Sequence, residues 1–481
     1  MLKKIFKGMS IIIVTNIIIK SLNFFLLPLY TRYLSPSDYG IVDVLNSLET
    51  ILITLFVLGL DSALFVFANE KTNKIEKEAV IAEISSLNFI IAFIPLLLIP
   101  FSGWISKLLF SNKQFAFLVR LSLFKIFFLT SITVLRNIPR LKYKYFLLAF
   151  FLLLQNILQI IFSIILIIYF HYSYLGIIYA GLASSIVISI IVISIFHKYL
   201  SFTKNFFLNH RIIEYVKFGA PILWGGIAIW IMQFSDRVIL NKLQTSNDVG
   251  LYGMAIRFAA PITLIVSSAQ LVLPSFIFDN KSKNDEKSKY KILSNLYFAF
   301  LSIGVIIYIP LSFILLKFMT AKNFHTAYIA LPIVSFTSIW VGANYLTGIG
   351  ISTSKKTYIR ALISWSLAFV NIILNLILIP HFDFLGAALT TLICQIINNF
   401  ISLYFSFKAR AYYEKTIVNN LLIFLLVTVI SIVFYWVNQF QLNLYLFIYS
   451  ALMVLVILLK YRRYLTDISQ KIIQFIKLKI S

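Results

Sequence analysis

Four basic residues stand well inside long apolar runs of this chain: Lys20, Arg120, Lys125 and Arg257. A charge at the centre of a bilayer costs roughly 3 kcal/mol even on the lenient insertion scale, unless it faces protein or a water-filled cavity. Cations around such a cavity do one kind of chemistry well. They replace the hydration of an anion, and Arg can do so bidentately. Lys125 and Arg257 lie too deep for easy snorkelling, Lys20 stands in mid-span, and the three are the expected substrate contacts. Arg120 is a weaker member: it is about five residues from the end of its run, and helical geometry places it about 140° from Lys125. Asp61 would balance Lys20 or take part in ion coupling, with a purely structural ion pair as the alternative. Glu49 and Glu83 read as interfacial acids near the ends of their runs. Pro28, Pro221, Gly225 and Gly226 are expected bending points, with close packing of small residues as the alternative.

No catalytic constellation accompanies these charges. The five histidines (His171, His197, His210, His325, His381) fall at or near the ends of apolar runs, and no run carries a pair of acids at short spacing in its middle. The spacing G-x-x-x-x-G-K-[ST] is absent, so a phosphate-binding loop of that type is excluded. A single cysteine, Cys394, excludes a disulfide framework and a cysteine-built metal site. No catalytic residue, metal or cofactor is expected.

The residues that must position the charges are overwhelmingly apolar. Of 481 residues, 60% are apolar and 12% charged, against about 25% charged in a soluble domain. That composition excludes a water-soluble enzyme, a disordered chain and a collagen-like fibre. The expected fold class is all-α: a polytopic membrane protein. A crossing needs about 20 mostly apolar residues, and fourteen such runs occur, at 9–31, 42–67, 79–101, 115–135, 145–169, 174–196, 218–236, 249–277, 292–316, 325–351, 361–380, 384–407, 416–437 and 443–459. The start, Met1 to Ser21, has the basic and apolar parts of a signal peptide but no small-residue cleavage site, so it reads as a retained first span.

The net charge of +25 is explained by topology, not nucleic acid. With the first residues inside, one alternating set of loops and termini holds 31 basic residues and the other 7. The positive-inside rule then puts both termini in the cytoplasm. In the tail from 461, Ile468, Ile472, Phe475, Ile476 and Leu478 recur at helical spacing beside Lys471, Lys477 and Lys479, the pattern of a basic amphipathic helix on the inner leaflet.

A short motif recurs. Ser35, Asp38 and Gly40 have the spacing of Thr245, Asp248 and Gly250, at an offset of 210. A hydroxyl three residues before an acid has the form of a capping box, and Pro36 sits where a first helical residue tolerates it. Six spans, an even number, separate the copies, so both halves insert the same way up, with a pseudo-two-fold along the membrane normal. The expected organisation is a six-helix half over 1–200, a second over 201–410, an additional helix pair over 411–460 and the tail over 461–481.

The stretch Asn23 to Gly40, with Phe24, Leu27, Pro28, Arg32, Tyr33, Leu34, Ser35, Asp38 and Gly40, resembles the opening of bacterial oligosaccharide flippases of the Wzx type. Asp236-Arg237-Val238-Ile239-Leu240, followed by Gly250-Leu251-Tyr252, resembles the start of their second half. That family belongs to the multidrug/oligosaccharidyl-lipid/polysaccharide exporter superfamily. The resemblance implies translocation of an undecaprenyl-pyrophosphate-linked sugar unit from the inner to the outer leaflet of a bacterial plasma membrane, by alternating access, for O-antigen or capsule. It implies as partners the polyprenyl-pyrophosphate-linked glycan, membrane lipids, a polysaccharide polymerase and a chain-length regulator. It also implies shelter of the polyprenyl tail by spans 13 and 14. The alternatives are a lipid II flippase, a multidrug exporter of the same superfamily, whose cationic substrates favour an acidic cavity, and an intramembrane glycan-modifying enzyme.

Overall fold

The computed structural model describes residues 2–201, 210–279, 286–354, 357–409, 415–438 and 444–480. Among them every regular element is a helix, as lipid requires of a backbone that must satisfy its own N–H and C=O groups. In chain order the first are α1 (Leu2–Phe25), α2 (Leu27–Tyr33), α3 (Pro36–Val57), α4 (Leu60–Glu70), α5 (Lys74–Ile91) and α6 (Ile94–Leu97). Then come α7 (Ser102–Phe110), α8 (Ala116–Leu141), α9 (Tyr145–Ile164), α10 (Ser173–Phe196), α11 (His210–Leu243) and α12 (Ser246–Asp279). The last are α13 (Glu286–Met319), α14 (Leu331–Thr347), α15 (Ile349–Thr353), α16 (Thr357–Ala409), α17 (Lys415–Val437) and α18 (Leu444–Ile480).

Twelve stretches are long and apolar enough to cross a membrane, and the bent pair Lys322–Ile329 with Leu331–Ile351 adds a thirteenth. Tyr358–Lys408 enters that tally once, with 51 residues. As one rod it would run about 77 Å, more than twice the hydrocarbon core of about 30 Å. It breaks at Asp383, where φ is 48° and ψ is −132°, and forms two crossings. The described residues therefore hold the fourteen crossings expected from sequence.

The chain divides into two compact units, Met1–Gly250 and Leu251–Ser481. In the first, both capping boxes are formed. Ser35 Oγ donates to Asp38 Oδ2 at 2.8 Å and accepts from the Asp38 N–H at 3.2 Å. Thr245 Oγ1 donates to Asp248 Oδ2 at 2.5 Å and accepts from the Asp248 N–H at 3.3 Å. The two motifs touch backbone to backbone. A Cβ on Gly40 would lie 1.7 Å from the Ser246 carbonyl oxygen, and one on Gly250 would lie 1.8 Å from that of Pro36. Positions 36 and 246 are equivalent under the offset, as are 40 and 250. It is one contact seen from each copy, which is what a two-fold axis between the motifs produces.

Two breaks shape the first unit. The first helix is interrupted at Leu26, two residues before Pro28, whose nitrogen carries no hydrogen for the helical ladder. The second crossing breaks between α3 and α4, where Leu58 and Gly59 take φ of 52° and 69°. A Cβ on Gly219 of α11 would come within 1.9 Å of the Leu58 carbonyl oxygen, so this break is seated directly on the α11 backbone. Asp61 follows in the first turn of α4, where a carboxylate complements the helix dipole. α11 passes through Pro221 as one continuous helix. A Cβ at Gly225 would meet nothing within 4 Å, whereas one at Gly226 would meet Thr54 Cγ2 at 2.9 Å.

α1 and α2 run along α9. Asn156 Nδ2 lies 3.5 Å from Asn23 Oδ1, and the Tyr30 and Ser163 hydroxyls lie 2.5 Å apart. Both pairs are separated by 133 residues, so the helices are parallel, as two odd-numbered crossings must be. The core of this unit gathers Leu60, Leu64, Ile81, Ile84, Leu135 and Ile188.

α5 carries three polar ties. Lys142 Nζ donates to Glu78 Oε1 at 2.6 Å and also to the Tyr199 hydroxyl. Burial works against the Lys142 charge, but these two bonds outweigh it and hold the ammonium above the usual lysine range. Stability drawn from this raised pKa is present at neutral pH and is lost only as pH rises through it. The Ser201 N–H donates to Ser86 Oγ at 2.9 Å. The Tyr215 hydroxyl donates to Glu83 Oε2 at 2.6 Å, with Arg211 Nη1 3.8 Å from the other oxygen. Glu83 is thus a structural acceptor for α11, not a solvated interfacial acid. Glu83→Ala should leave the buried Tyr215 hydroxyl without its acceptor, at a cost of about 1–3 kcal/mol. The measurement is the melting temperature of the purified full chain, and an unchanged value would mean that the tie contributes nothing.

Many basic residues that lie outside the apolar runs belong to helices, Arg136 and Arg237 among them. Arg136 belongs to α8 and donates to Gln155 Oε1 at 2.9 Å. Arg237 belongs to α11 and is 3.1 Å from Asp236 Oδ1. A hydrogen-bonded charge lets a helix continue where an apolar run, read alone, stops. Lys204, Lys281, Lys283, Lys355, Lys356 and Arg410 lie outside the described residues.

In the second unit Asn399 of span 12 bonds helix to helix. Asn399 Nδ2 donates to the Trp340 carbonyl at 2.8 Å, and Thr347 Oγ1 donates to Asn399 Oδ1 at 2.9 Å. Trp340 is fully buried and donates to Thr428 Oγ1 at 3.1 Å, leaving no ring face for a sugar. The terminal pair α17 and α18 is joined to α13 through Asn420. Its Nδ2 lies 3.1 Å from Ser294 Oγ and 3.0 Å from Asn295 Oδ1, and its Oδ1 accepts from Tyr461 at 3.1 Å. The α18 backbone continues without interruption to Ile480. The side chains of its amphipathic face, from Ile468 to Leu478, lie outside the described ones.

Candidate functional site

Two charges meet in mid-span within the first unit. Glu49 stands thirteen residues into α3 and Lys125 nine residues into α8, about 20 Å and 14 Å along their axes. Lys125 Nζ lies 2.7 Å from Glu49 Oε2, with the side chains only 13% and 10% exposed. α10 closes the other side. A Cβ on Gly181 would lie 3.0 Å from Lys125 Nζ and 3.2 Å from its Cε, so glycine there makes room for the lysine. The Ser122 hydroxyl, one turn before Lys125, is buried without a partner among the described residues. Trp230 Nε1 donates to the Ser47 carbonyl at 2.9 Å, tying α11 to α3 two residues from Glu49.

Glu49 is therefore a buried counter-ion, where the sequence reading has an interfacial acid. The apolar run at 42–67 begins seven residues before it. The capping box at Ser35–Asp38 starts the helix at Pro36 and carries the signal for its true depth. Removing one partner of a buried pair costs about 3–5 kcal/mol, because the other charge is left uncompensated.

The other expected residues are placed differently. Lys20 is exposed and has no hydrogen bond or ion pair among the described residues; in particular it does not pair with Asp61. Arg120 is also exposed, and its Nε donates to Ser102 Oγ at 3.0 Å, near one end of α8. Arg257 belongs to the second unit and is half-buried. Lys125 is brought into a dry, charge-paired setting, and it can hold an anion only by exchanging Glu49 for it.

The same fold occurs in solved structures. A lipid II flippase, MurJ, in an inward closed conformation, matches with a TM-score of 0.69 over 96% of this chain and 99% of that one, at 18% identity. A multidrug resistance MATE family transporter of the MOP superfamily, inward-facing, matches with a TM-score of 0.64 over 82% of this chain and 95% of that one, at 13% identity. An uncharacterized membrane protein of Methanocaldococcus jannaschii is 26% identical over 427 residues, covering 81% of each chain. The sequence profile of the family described as polysaccharide biosynthesis protein matches residues 5–277. That stretch holds more than half of the chain, with both capping boxes and the Lys125–Glu49 pair inside it, and the chain belongs to the polysaccharide biosynthesis protein family.

Proposed function

We propose that this protein is a flippase that carries an undecaprenyl-pyrophosphate-linked oligosaccharide from the inner to the outer leaflet of a bacterial plasma membrane, by alternating access between a six-helix half over 1–200 and another over 201–410. The observation that carries the reading is Lys125, a cation kept in mid-span by an acid one hydrogen bond away. Lys125 and Lys20 in the first unit and Arg257 in the second bind the pyrophosphate along its path, with Arg120 a weaker contact. Glu49 balances Lys125 while no substrate is present, and Asp61 is available for charge balance or ion coupling. Pro28, Pro221, Gly225 and Gly226 serve as bending points. The glycan serves O-antigen or capsule, with a polymerase and a chain-length regulator acting on the delivered unit.

Deletion of the gene should leave sugar-loaded polyprenyl lipid accumulating on the inner leaflet while its synthesis continues. Accumulation of lipid II in its place would assign the chain to peptidoglycan. Loss of the assembled unit itself would point to an enzyme.

Both termini are cytoplasmic in this reading, from the distribution of 31 basic residues against 7. Reporter fusions after Gln441 should therefore report the outside, and fusions at Ser481 the inside. The same side for both would overturn the topology.

A further inference from the structure

A groove of about 370 Å³ opens in the second unit between the two arms of α16. Its walls are Ile359, Leu362, Ile363, Ile401 and Phe405. Three polar side chains also line it: Tyr358 at the start of one arm, Lys408 at the end of the other, and Ser366 about two turns beyond Tyr358 on the first arm. None of the three has a hydrogen bond or ion pair among the described residues, although Ser and Thr in the neighbouring spans mostly bond back into their own helix, as Ser364 does to the Arg360 carbonyl at 3.0 Å. Tyr358 is 63% exposed, and Lys408 and Ser366 are exposed too.

The groove thus has an apolar body and one mouth bearing an ammonium and a phenol. Arg360 follows Tyr358 by two residues on the same arm. An apolar body accepts hydrocarbon, and an unpaired lysine beside a phenolic hydroxyl accepts a phosphate. Both demands together describe an amphiphile with an anionic head. By the proposed topology, on which this inference rests, the mouth opens at the cytoplasmic leaflet, where anionic lipids supply a negative surface.

We infer that this groove is a binding site for one anionic phospholipid of the inner leaflet. The phosphate sits on Lys408 and Tyr358, one acyl chain lies along Leu362, Ile363 and Phe405, and the Ser366 hydroxyl meets an ester oxygen. The site holds a resident lipid and is separate from the path of the transported glycan.

The test uses the purified full chain in nanodiscs of equimolar phosphatidylglycerol and phosphatidylcholine with identical acyl chains, read by native mass spectrometry of the lipids retained. The wild type should retain phosphatidylglycerol over phosphatidylcholine by about five-fold, the ratio that one basic residue at an anionic surface supplies. Lys408→Gln should bring that ratio close to one. Ser366→Trp, which fills the groove without touching its charge, should lower retention of both lipids. Equal retention by wild type and Lys408→Gln would overturn the site, as would a wild type indifferent to the headgroup. If undecaprenyl phosphate at a tenth of the phosphatidylglycerol concentration displaces the retained lipid, the groove belongs to the transport path and the resident-lipid assignment is wrong. Because retention is measured without translocation, this inference can fail while the flippase reading stands. The reverse also holds.

Discussion

Lys125→Ala should reduce translocation at least ten-fold, and Lys125→Met combined with Glu49→Leu should restore the protein without restoring transport. The single substitution leaves Glu49 buried, 10% exposed, with no counter-charge, and breaking such a pair costs about 3–5 kcal/mol. Loss of folded protein alone could then explain lost transport. The double substitution removes both charges from the α3–α8 contact, and replacing a buried pair by apolar side chains is often neutral or stabilising. Folded protein in the membrane, read by detergent-stable monodisperse material, should return to the wild-type level. Translocation of the sugar-loaded lipid, read by its appearance on the outer leaflet, should stay lost, because the cation that receives the pyrophosphate is gone. Normal transport by the double variant would make the pair purely structural and remove Lys125 from the site. Gly181→Leu offers an independent probe. Its side chain would enter the space of the lysine, 3.0 Å from the Cβ position, and should impair transport with both charges intact.

Gly40→Ala and Gly250→Ala should have equal effects, each prying the two capping-box motifs apart. A Cβ at either position starts 1.7 or 1.8 Å from a carbonyl oxygen, and ordinary contact begins at 3.4 Å. The obstacle is backbone on both sides, so no rotamer can absorb the overlap. Overpacking of this kind costs about 1–3 kcal/mol, which converts to a shift of about 5- to 150-fold in a two-state equilibrium. Spin labels at Ser37 and Asn247, in a chain with Cys394→Ser, should report a longer separation in either variant, and transport should fall. An unchanged distance with intact transport would mean that the contact has no part in the cycle. A change in one variant only would break the symmetry argued from the offset of 210.

The elements were largely legible because lipid leaves the backbone few options. The fourteen runs follow from apolar length alone, and the boxes at Ser35–Asp38 and Thr245–Asp248 are local chemistry that a short window contains. What escaped the sequence is tertiary. Arg136 and Arg237 look like loop residues until Gln155 and Asp236 are found beside them. Glu49 looks interfacial until the helix start is moved back to Pro36 and Lys125 is brought across from α8. The break at Leu58–Gly59 contains no proline. Gly59 takes the left-handed conformation there, and the break sits against Gly219, 160 residues away in sequence. The cationic residues were legible as types and depths, but their partners were not, since pairing depends on which faces meet.

The Leu58–Gly59 break divides the second crossing into a short arm and a long one. The short arm, α4, is fixed: Leu60, Ala63, Leu64 and Ala68 are all fully buried in the core. The long arm, α3, carries Glu49 nine residues beyond the break, a lever of about 14 Å. A swing of only about 10° at that fulcrum would displace the Glu49 carboxylate by about 2.4 Å along its arc. That displacement nearly equals the whole length of its bond to Lys125, 2.7 Å. A small angular change at two left-handed residues is therefore geared up into the making or breaking of a charge contact in mid-membrane, with the core beneath it standing still.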